Sequence, residues 1–454
     1  MNSRADLDPG RAAFLLGCAW LDRGQGRIAV AQLERALSLR PQDGAVHRHL
    51  AYALVLEGEF LAAHTHLSAA LQANPEDGLL RREVSLLGQL AGLPPEPIDL
   101  PDHPGGRLRF QRCEQRTHHR SGWRYAMESL HPLHHRQGVL FEGFLEDPFA
   151  WEHPRAGIRS HAELLFALRS HGYEGRLSSE ERRVVPFREP WVGFLHNPHA
   201  MPEWLHPQDS PQAIFAKRIW QESMEYCLGL FALSETLGDW LRKVTRKPVS
   251  VLLHPTVIPD TVFDFDRFLA NPNRHIVQIG WWLRRLTAID RLPIPEDNPM
   301  GYTKVRLIPD FFPGAPAYLE TLRSQECQHE GPPEPTAAAN TRVRMHLADE
   351  EYDQLLAQNI AFVDLYDASA NNAVIECLAR GTPLLVNRLP AVEEYLATDY
   401  PLYYEDHADA AAKAMDIGRL RAAHEHMLAS PIRRRLDGDS FRSSVETSEV
   451  YQRL

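Results

Sequence analysis

Residues 360–396, IAFVDLYDASANNAVIECLARGTPLLVNRLPAVEEYL, leave little choice of local fold. An apolar, β-rich run over 360–366 reads as a buried strand. A small polar turn at 367–372 follows, with several residues suited to capping a helix. A helix over 373–380 is then stopped by Gly381, with Pro383 just beyond. A second apolar strand at 384–387 completes a strand–helix–strand unit, with its turn at the carboxyl end of the first strand. Such a turn sets free backbone N–H groups and the positive helix end against an anion, commonly a phosphate. The segment therefore predicts a parallel α/β sheet holding a nucleotide-type ligand.

At about 100° per residue, Val374, Ile375 and Leu378 share one helix face, and Asn372, Glu376 and Arg380 share the other. Glu376 is then either a solvated residue or a ligand contact, and the surrounding turn and Gly-Thr-Pro stop favour contact. Asn371 and Asn372 can cap the helix and face a phosphate at once; Ser369 belongs to the same turn. The stretch resembles the donor-binding segment of GT-B glycosyltransferases, the two-Rossmann-domain enzymes that use nucleotide sugars. In that family an acidic residue inside the helix holds the ribose hydroxyls and a Gly-(Thr/Ser)-Pro follows; Glu376 and Gly381-Thr382-Pro383 match. Many retaining members carry another Glu eight residues earlier, facing the donor sugar. This chain has Ala368 there, with Asp367 beside it. The resemblance implies a nucleoside diphosphate sugar as donor substrate, with no cofactor and no metal. It leaves open whether the anomeric configuration is retained or inverted.

Other segments extend this expectation. Residues 273–285, NRHIVQIGWWLRR, read as the first strand and loop of a second domain. The resemblance sets Gly280 and either Arg284 or Arg285 against the donor diphosphate, since a guanidinium can bridge two phosphate oxygens. Trp281 and Trp282 either cover a sugar or base or pack in the core. Lys304, in a strand-like run over 302–308, is a further cation, and 326–341 reads as a mobile loop. Upstream, 190–199 reads as an apolar strand ending in a polar loop. His196 and His199 at its end are the expected catalytic bases, because imidazole titrates near neutral pH; a loop histidine bonded to backbone is the alternative.

The same pattern recurs at 227–240, where Ser234-Glu235-Thr236 caps a helix beginning at Leu237, and 247–255 forms a last strand before a linker. This order resembles the end of a GT-B N-terminal domain. Asp264-Phe265-Asp266 has the DxD form of the GT-A class but sits in that linker. Gly122-Trp123 and 138–143 are expected as loops beside an acceptor cleft, and 440–454 as the helix that crosses back onto the first domain.

The first 90 or so residues follow another logic. Pro41 and Pro75, Gly24 and Gly58, Leu33 and Leu67, Ala36 and Ala70, and Leu37 and Leu71 all stand 34 residues apart. This period resembles tetratricopeptide (TPR) repeats, each a pair of helices. Two repeats and a trailing helix at 78–91 fall short of the three usually needed to bury a continuous core. The array should lean on the rest of the chain or on a second subunit in a homo-oligomer. The resemblance implies a protein or peptide acceptor on the concave face; a helical dimerisation module is the other reading. A Pro-rich stretch over 92–106 marks a linker. The histidine-rich stretch that follows, with His118, His119, His131, His134 and His135, has neither HExxH nor Cys/His-finger spacing, which argues against a metal site.

With 454 residues, two or three domains are expected: 1–92 as all-α TPR-like repeats, 105–262 as a first Rossmann-like, acceptor-side domain, and 273–454 as a second that binds the nucleotide sugar. A net charge of −11 argues against nucleic acid or an anionic membrane as the main partner. No run of roughly 18 apolar residues suggests a membrane span. The first residues lack the apolar stretch of a secretory signal, and five scattered cysteines without a CxxC pair fit the cytoplasm. The expected activity is sugar transfer from a nucleoside diphosphate sugar to a protein or peptide acceptor. A catalytically inactive adaptor of the same fold and a nucleotide-sugar epimerase are the alternatives.

Overall fold

The computed structural model describes residues 8–77, 80–81, 83–84, 87–88, 100–110, 122–146, 149, 187–308, 315–338, 340–345 and 347–454. The chain packs into two units, one of residues 1–99, 146–188 and 216–224, the other of 100–145, 189–215 and 225–454. His118, His119 and most of the expected 92–106 linker lie outside the described residues.

In the first unit, four helices follow in succession: Pro9–Asp22, Gly26–Leu39, Gly44–Leu56 and Phe60–Ala73. The 34-residue spacing becomes the spacing of their core. Ala29 and Ala63, Leu33 and Leu67, and Ala36 and Ala70 are all buried. Gly24 and Gly58 turn the chain at φ 70° and 77°, where a side chain would be strained. Asp43 caps the third helix by accepting from Ala45 and Val46 N–H. Asp77, its counterpart, accepts from Leu80 N–H, and Leu80, Val84 and Leu87 close over the same core.

The second unit contains two sheets. The first holds β1 (Leu108–Phe110), β2 (Val139–Glu142), β3 (Trp191–Phe194), β4 (Cys227–Ala232) and β5 (Val249–Val251), side by side in chain order. The second holds β6 (His275–Gln278), β7 (Thr303–Leu307), β8 (Thr341–Arg344), β9 (Ile360–Val363), β10 (Leu384–Asn387) and β11 (Tyr403–Tyr404), in the order β11-β10-β9-β6-β7-β8. Every pairing between these strands is parallel. The α/β class read from the sequence, two parallel sheets after an all-helical segment, therefore holds. Parallel strands are covered on both faces, which is why β9 and β10 are continuous apolar runs. In the second sheet the chain runs outward from β6 to β8 and then returns to place β9 on the other side of β6. Such a reversal opens a crevice at the carboxyl ends of the two strands.

Several expectations need correction. Residues 139–142 are strand β2, not a loop, because Leu140 and Phe141 pair with both β1 and β3. Trp123 opens a helix, Trp123–Leu130. Residues 326–341 are not a loop either: they hold the end of helix Ala315–Glu330, helix Pro335–Ala338 and the start of β8. The anchor is Glu326, buried, which accepts from Leu286 N–H at 2.6 Å, Thr287 N–H at 3.0 Å and the Thr287 hydroxyl. Asp264 caps helix Phe265–Ala270 through Arg267 N–H. At the chain end, helices Gly438–Thr447 and Glu449–Gln452 lie against the first sheet's layer. Gly438 N–H donates to the Tyr125 hydroxyl at 3.0 Å and Val450 N–H to Ser250 Oγ at 3.1 Å. Among the described residues no helix is long and apolar enough to cross a membrane.

Candidate functional site at the strand-order reversal

Asn371 caps helix Asn372–Arg380, its Oδ1 accepting from Ala373 N–H at 3.1 Å and Val374 N–H at 3.3 Å. Gly381, at φ 72°, ends it in the left-handed conformation that favours glycine. Every residue from Ala373 to Arg380 is buried, so the polar side of this helix does not face solvent. Glu376 and Arg380 are both 0% exposed, which removes the solvated reading of Glu376. Its carboxylate accepts from the Tyr352 hydroxyl at 2.5 Å, and Arg380 donates to Asp353 Oδ1 at 2.6 Å. Tyr352 and Asp353 come from helix Asp349–Ala357, which sequence reasoning did not connect to the site.

Across the crevice, Gly280 follows β6 at φ 74°, and the Arg284 guanidinium packs directly on it. A Cβ at Gly280 would come within 2.6 Å of Arg284 Cζ and push the guanidinium aside, and the positive φ would strain any other residue there. Arg284 donates to the Trp282 carbonyl at 2.9 Å and to Asn371 Oδ1 at 3.1 Å. Its Nε is buried without a partner among the described residues, and so is the hydroxyl of Ser369. Burial pushes the Arg284 guanidinium down to about 10, with Tyr352 and Glu376 pulling the other way. Arg285 takes a different path: it pairs with Asp364 at 2.8 Å and Glu330 at 3.2 Å and covers the Tyr366 ring. Of the two arginines the sequence left open, the fold brings Arg284 to the Asn371 turn. Asn372 is half-buried at the helix start. Lys304 is fully buried and donates to the carbonyls of Leu292 and Ala337, away from the crevice.

The loop after β3 meets the same turn. Ala200 N–H donates to Asp367 Oδ2 at 2.8 Å, and Trp282 Nε1–H donates to Asn197 Oδ1 at 3.2 Å. Burial pushes the Asp367 carboxyl up, while the N–H groups of Ala368 and Ala200 and nearby His199 pull it down. His199 lies flat on Trp240 at 5.4 Å, with its Nδ1 buried and unpartnered among the described residues. His196 Nε2 is 2.9 Å from the Gly143 carbonyl, which can only accept, so that nitrogen carries the proton. The His196 ring stacks on Phe144 at 4.2 Å. Trp281 and Trp282 pack with Trp204, Leu205, Tyr318 and Leu322. A signal for Asp364 was present, since it is the one acid inside the apolar run 360–366.

No known family model matches the chain, and no curated protein matches it. Among solved structures, a mutant of Thermobaculum terrenum O-GlcNAc transferase shares 16% identity, covering 98% of this chain and 90% of its own, with a TM-score of 0.40. Anabaena HepE in complex with UDP and glucose shares 13% identity, covering 64% of this chain and 76% of its own, with a TM-score of 0.44. WaaG, a glycosyltransferase involved in lipopolysaccharide biosynthesis, shares 13% identity over 76% of this chain and 96% of its own, with a TM-score of 0.37. Likeness at this level assigns the chain neither to a family nor to an activity.

Proposed function

We propose that this chain is a GT-B-type glycosyltransferase that takes a sugar from a nucleoside diphosphate donor held at the β6/β9 reversal. One observation carries the reading. The Arg284 guanidinium and the buried Ser369 hydroxyl, whose Nε and Oγ have no partner among the described residues, meet the start of helix Asn372–Arg380 around one turn. Buried polar groups left unmade cost roughly 1–3 kcal/mol each, and an anion placed here would satisfy them. The helix N-terminus adds a positive partial charge. Negative charge that develops on a departing diphosphate would meet preorganised donors, so catalysis would rest on positioning and electrostatics.

The resemblance gives Glu376 the ribose hydroxyls, and such a contact would exchange with the Tyr352 bond. His196 and His199, on the loop tied to Asp367 through Ala200, are our assigned bases for an acceptor hydroxyl. The helical pairs, as tetratricopeptide-type repeats, would recruit a protein or peptide acceptor in the cytoplasm. The second reading, an inactive adaptor, is favoured by Ala368, a buried methyl where many retaining family members have a carboxylate.

The test is a thermal-shift titration with UDP, GDP, TDP and CDP sugars, run on the wild type beside Arg284→Gln and Glu376→Ala. One nucleotide class should stabilise the wild type, by about 2.7 kcal/mol at a hundredfold excess over Kd, and the effect should be lost in Arg284→Gln. No response to any donor overturns the reading. Binding without release of free nucleoside diphosphate in the presence of acceptor moves it to the adaptor.

A further inference from the structure

A second concave site lies at the carboxyl ends of β9, β10 and β11. It is an open cleft of about 710 Å³, and of the expected donor-binding residues only Arg285 lines it. At its wall a buried carboxylate, Asp364, is held by Arg285 Nη1 at 2.8 Å and by His407 Nε2 at 2.9 Å. Arg388 and Lys413 face the same space, and Glu405 stands exposed at its rim. The size is that of a small-molecule pocket, and the strand ends of a parallel sheet are where such pockets form.

We infer that this cleft binds a neutral carbohydrate of one or two sugar rings. The lining chemistry excludes the other small-molecule classes in turn. Each cation is already neutralised: Arg285 by Asp364 and Glu330, Arg388 by Glu393, Lys413 by Asp409. A phosphate would have to displace those carboxylates and face Glu405 and Asp406 at the rim. No three His, Cys, Asp or Glu side chains among the described residues are arranged to hold a metal ion. Tyr403 and Tyr404 are 5% and 4% exposed, and Arg388 covers the Tyr403 ring, so neither ring stands open for a nucleobase to stack on. What the lining does offer is acceptors (Glu405 and the Nδ1 of neutral His407, whose Nε2–H is given to Asp364) interleaved with donors (Arg388, Lys413). A ring of hydroxyls, each both donor and acceptor, matches that alternation without bringing a charge. The inference does not depend on which ligand the β6/β9 reversal holds.

The experiment is saturation-transfer NMR and calorimetry on the full chain with glucose, galactose, N-acetylglucosamine, maltose and cellobiose, beside inorganic phosphate and Mg²⁺ as competitors. Wild type, His407→Ala, Glu405→Gln and Arg284→Gln are compared, with a melting curve for each. At least one sugar should bind the wild type saturably and Arg284→Gln equally well, with affinity reduced tenfold or more in Glu405→Gln and His407→Ala. Glu405 is exposed, so its variant tests the site even if His407→Ala unfolds. Absence of binding by every sugar, displacement by phosphate or Mg²⁺ at equal concentration, or loss of binding in Arg284→Gln with retention in both cleft variants, overturns the inference.

Discussion

Two strand–cap–helix units in this chain are built alike and finished differently. In the first sheet β4 leads through Ser234 into helix Glu235–Thr245; in the second β9 leads through Asn371 into helix Asn372–Arg380. The start of the first helix is filled from within. The Glu394 carboxylate accepts from Glu235 N–H at 2.6 Å, Thr236 N–H at 2.9 Å and the Thr236 hydroxyl at 2.7 Å. The start of the second helix is capped instead by the neutral Asn371 amide, whose Oδ1 accepts from Ala373 N–H, Val374 N–H and Arg284, and the Ser369 hydroxyl beside it has no partner among the described residues. The charged side chains differ as well: Arg242 pairs with Asp239 at the surface, whereas Arg380, at 0% exposure, pairs with the buried Asp353. A helix N-terminus already met by a carboxylate has its partial charge answered, whereas one capped by a neutral amide keeps more of it for an anion. In the first sheet, strand is laid beside strand in chain order; in the second, the reversal between β6 and β9 opens a crevice in front of the helix.

The comparison can be broken at two points. The largest effect is expected from the paired variants Asp353→Ala and Asp239→Ala. Removing one member of a buried ion pair should cost about 3–5 kcal/mol, and removing one from an exposed pair at most ~1 kcal/mol. Urea unfolding of both measures the gap, and equal losses would mean that the two helices are not differently seated.

Glu394→Ala comes next. It should lower stability by about 1–2 kcal/mol, the usual cost of a lost cap, and should open an anion site that the wild type fills itself. The melting temperature of the variant should then rise with added phosphate more steeply than that of the wild type. Parallel responses would show that Glu394 does not act as a built-in anion.

A separate prediction concerns Lys304, whose ammonium burial pushes down to about 8 from an ordinary 10.5. Across that window the unfolded chain binds more protons than the folded one, so this group makes stability rise with pH from about 8 to about 10.5. The slope cannot exceed about 1.4 kcal/mol per pH unit, the limit for one proton. Lys304→Met should flatten the rise in unfolding free energy measured from pH 7.5 to 10.5. An unchanged slope would place its source elsewhere.

The strands at 360–363 and 384–387, the Ser234 cap, the Gly381 stop and the 34-residue spacing of the helical pairs were all legible in the amino-acid order. Each depends on residues within a few positions of one another: an apolar run, a short polar side chain before a helix, a residue tolerant of positive φ. Helix Asn372–Arg380 shows where that ends. Its 3.6-residue pattern separated Glu376 and Arg380 from the apolar face correctly. It could not show that helix Asp349–Ala357 supplies Tyr352 and Asp353 to cover that second face. Residues 326–341 read as a loop because their Pro and Gly content is a local signal. The carboxylate of Glu326 is anchored by backbone some 40 residues earlier.

Sequence alone therefore determined the β9 and β10 strands, the helix between them and its Gly381 stop, because those follow from short-range sterics and hydrogen bonding. Tertiary structure decided the strand order, that Arg284 bonds Asn371 while Arg285 pairs with Asp364 and Glu330, and which helix start meets a carboxylate. Those outcomes depend on which distant groups arrive within hydrogen-bond reach, and no spacing along the chain encodes that distance.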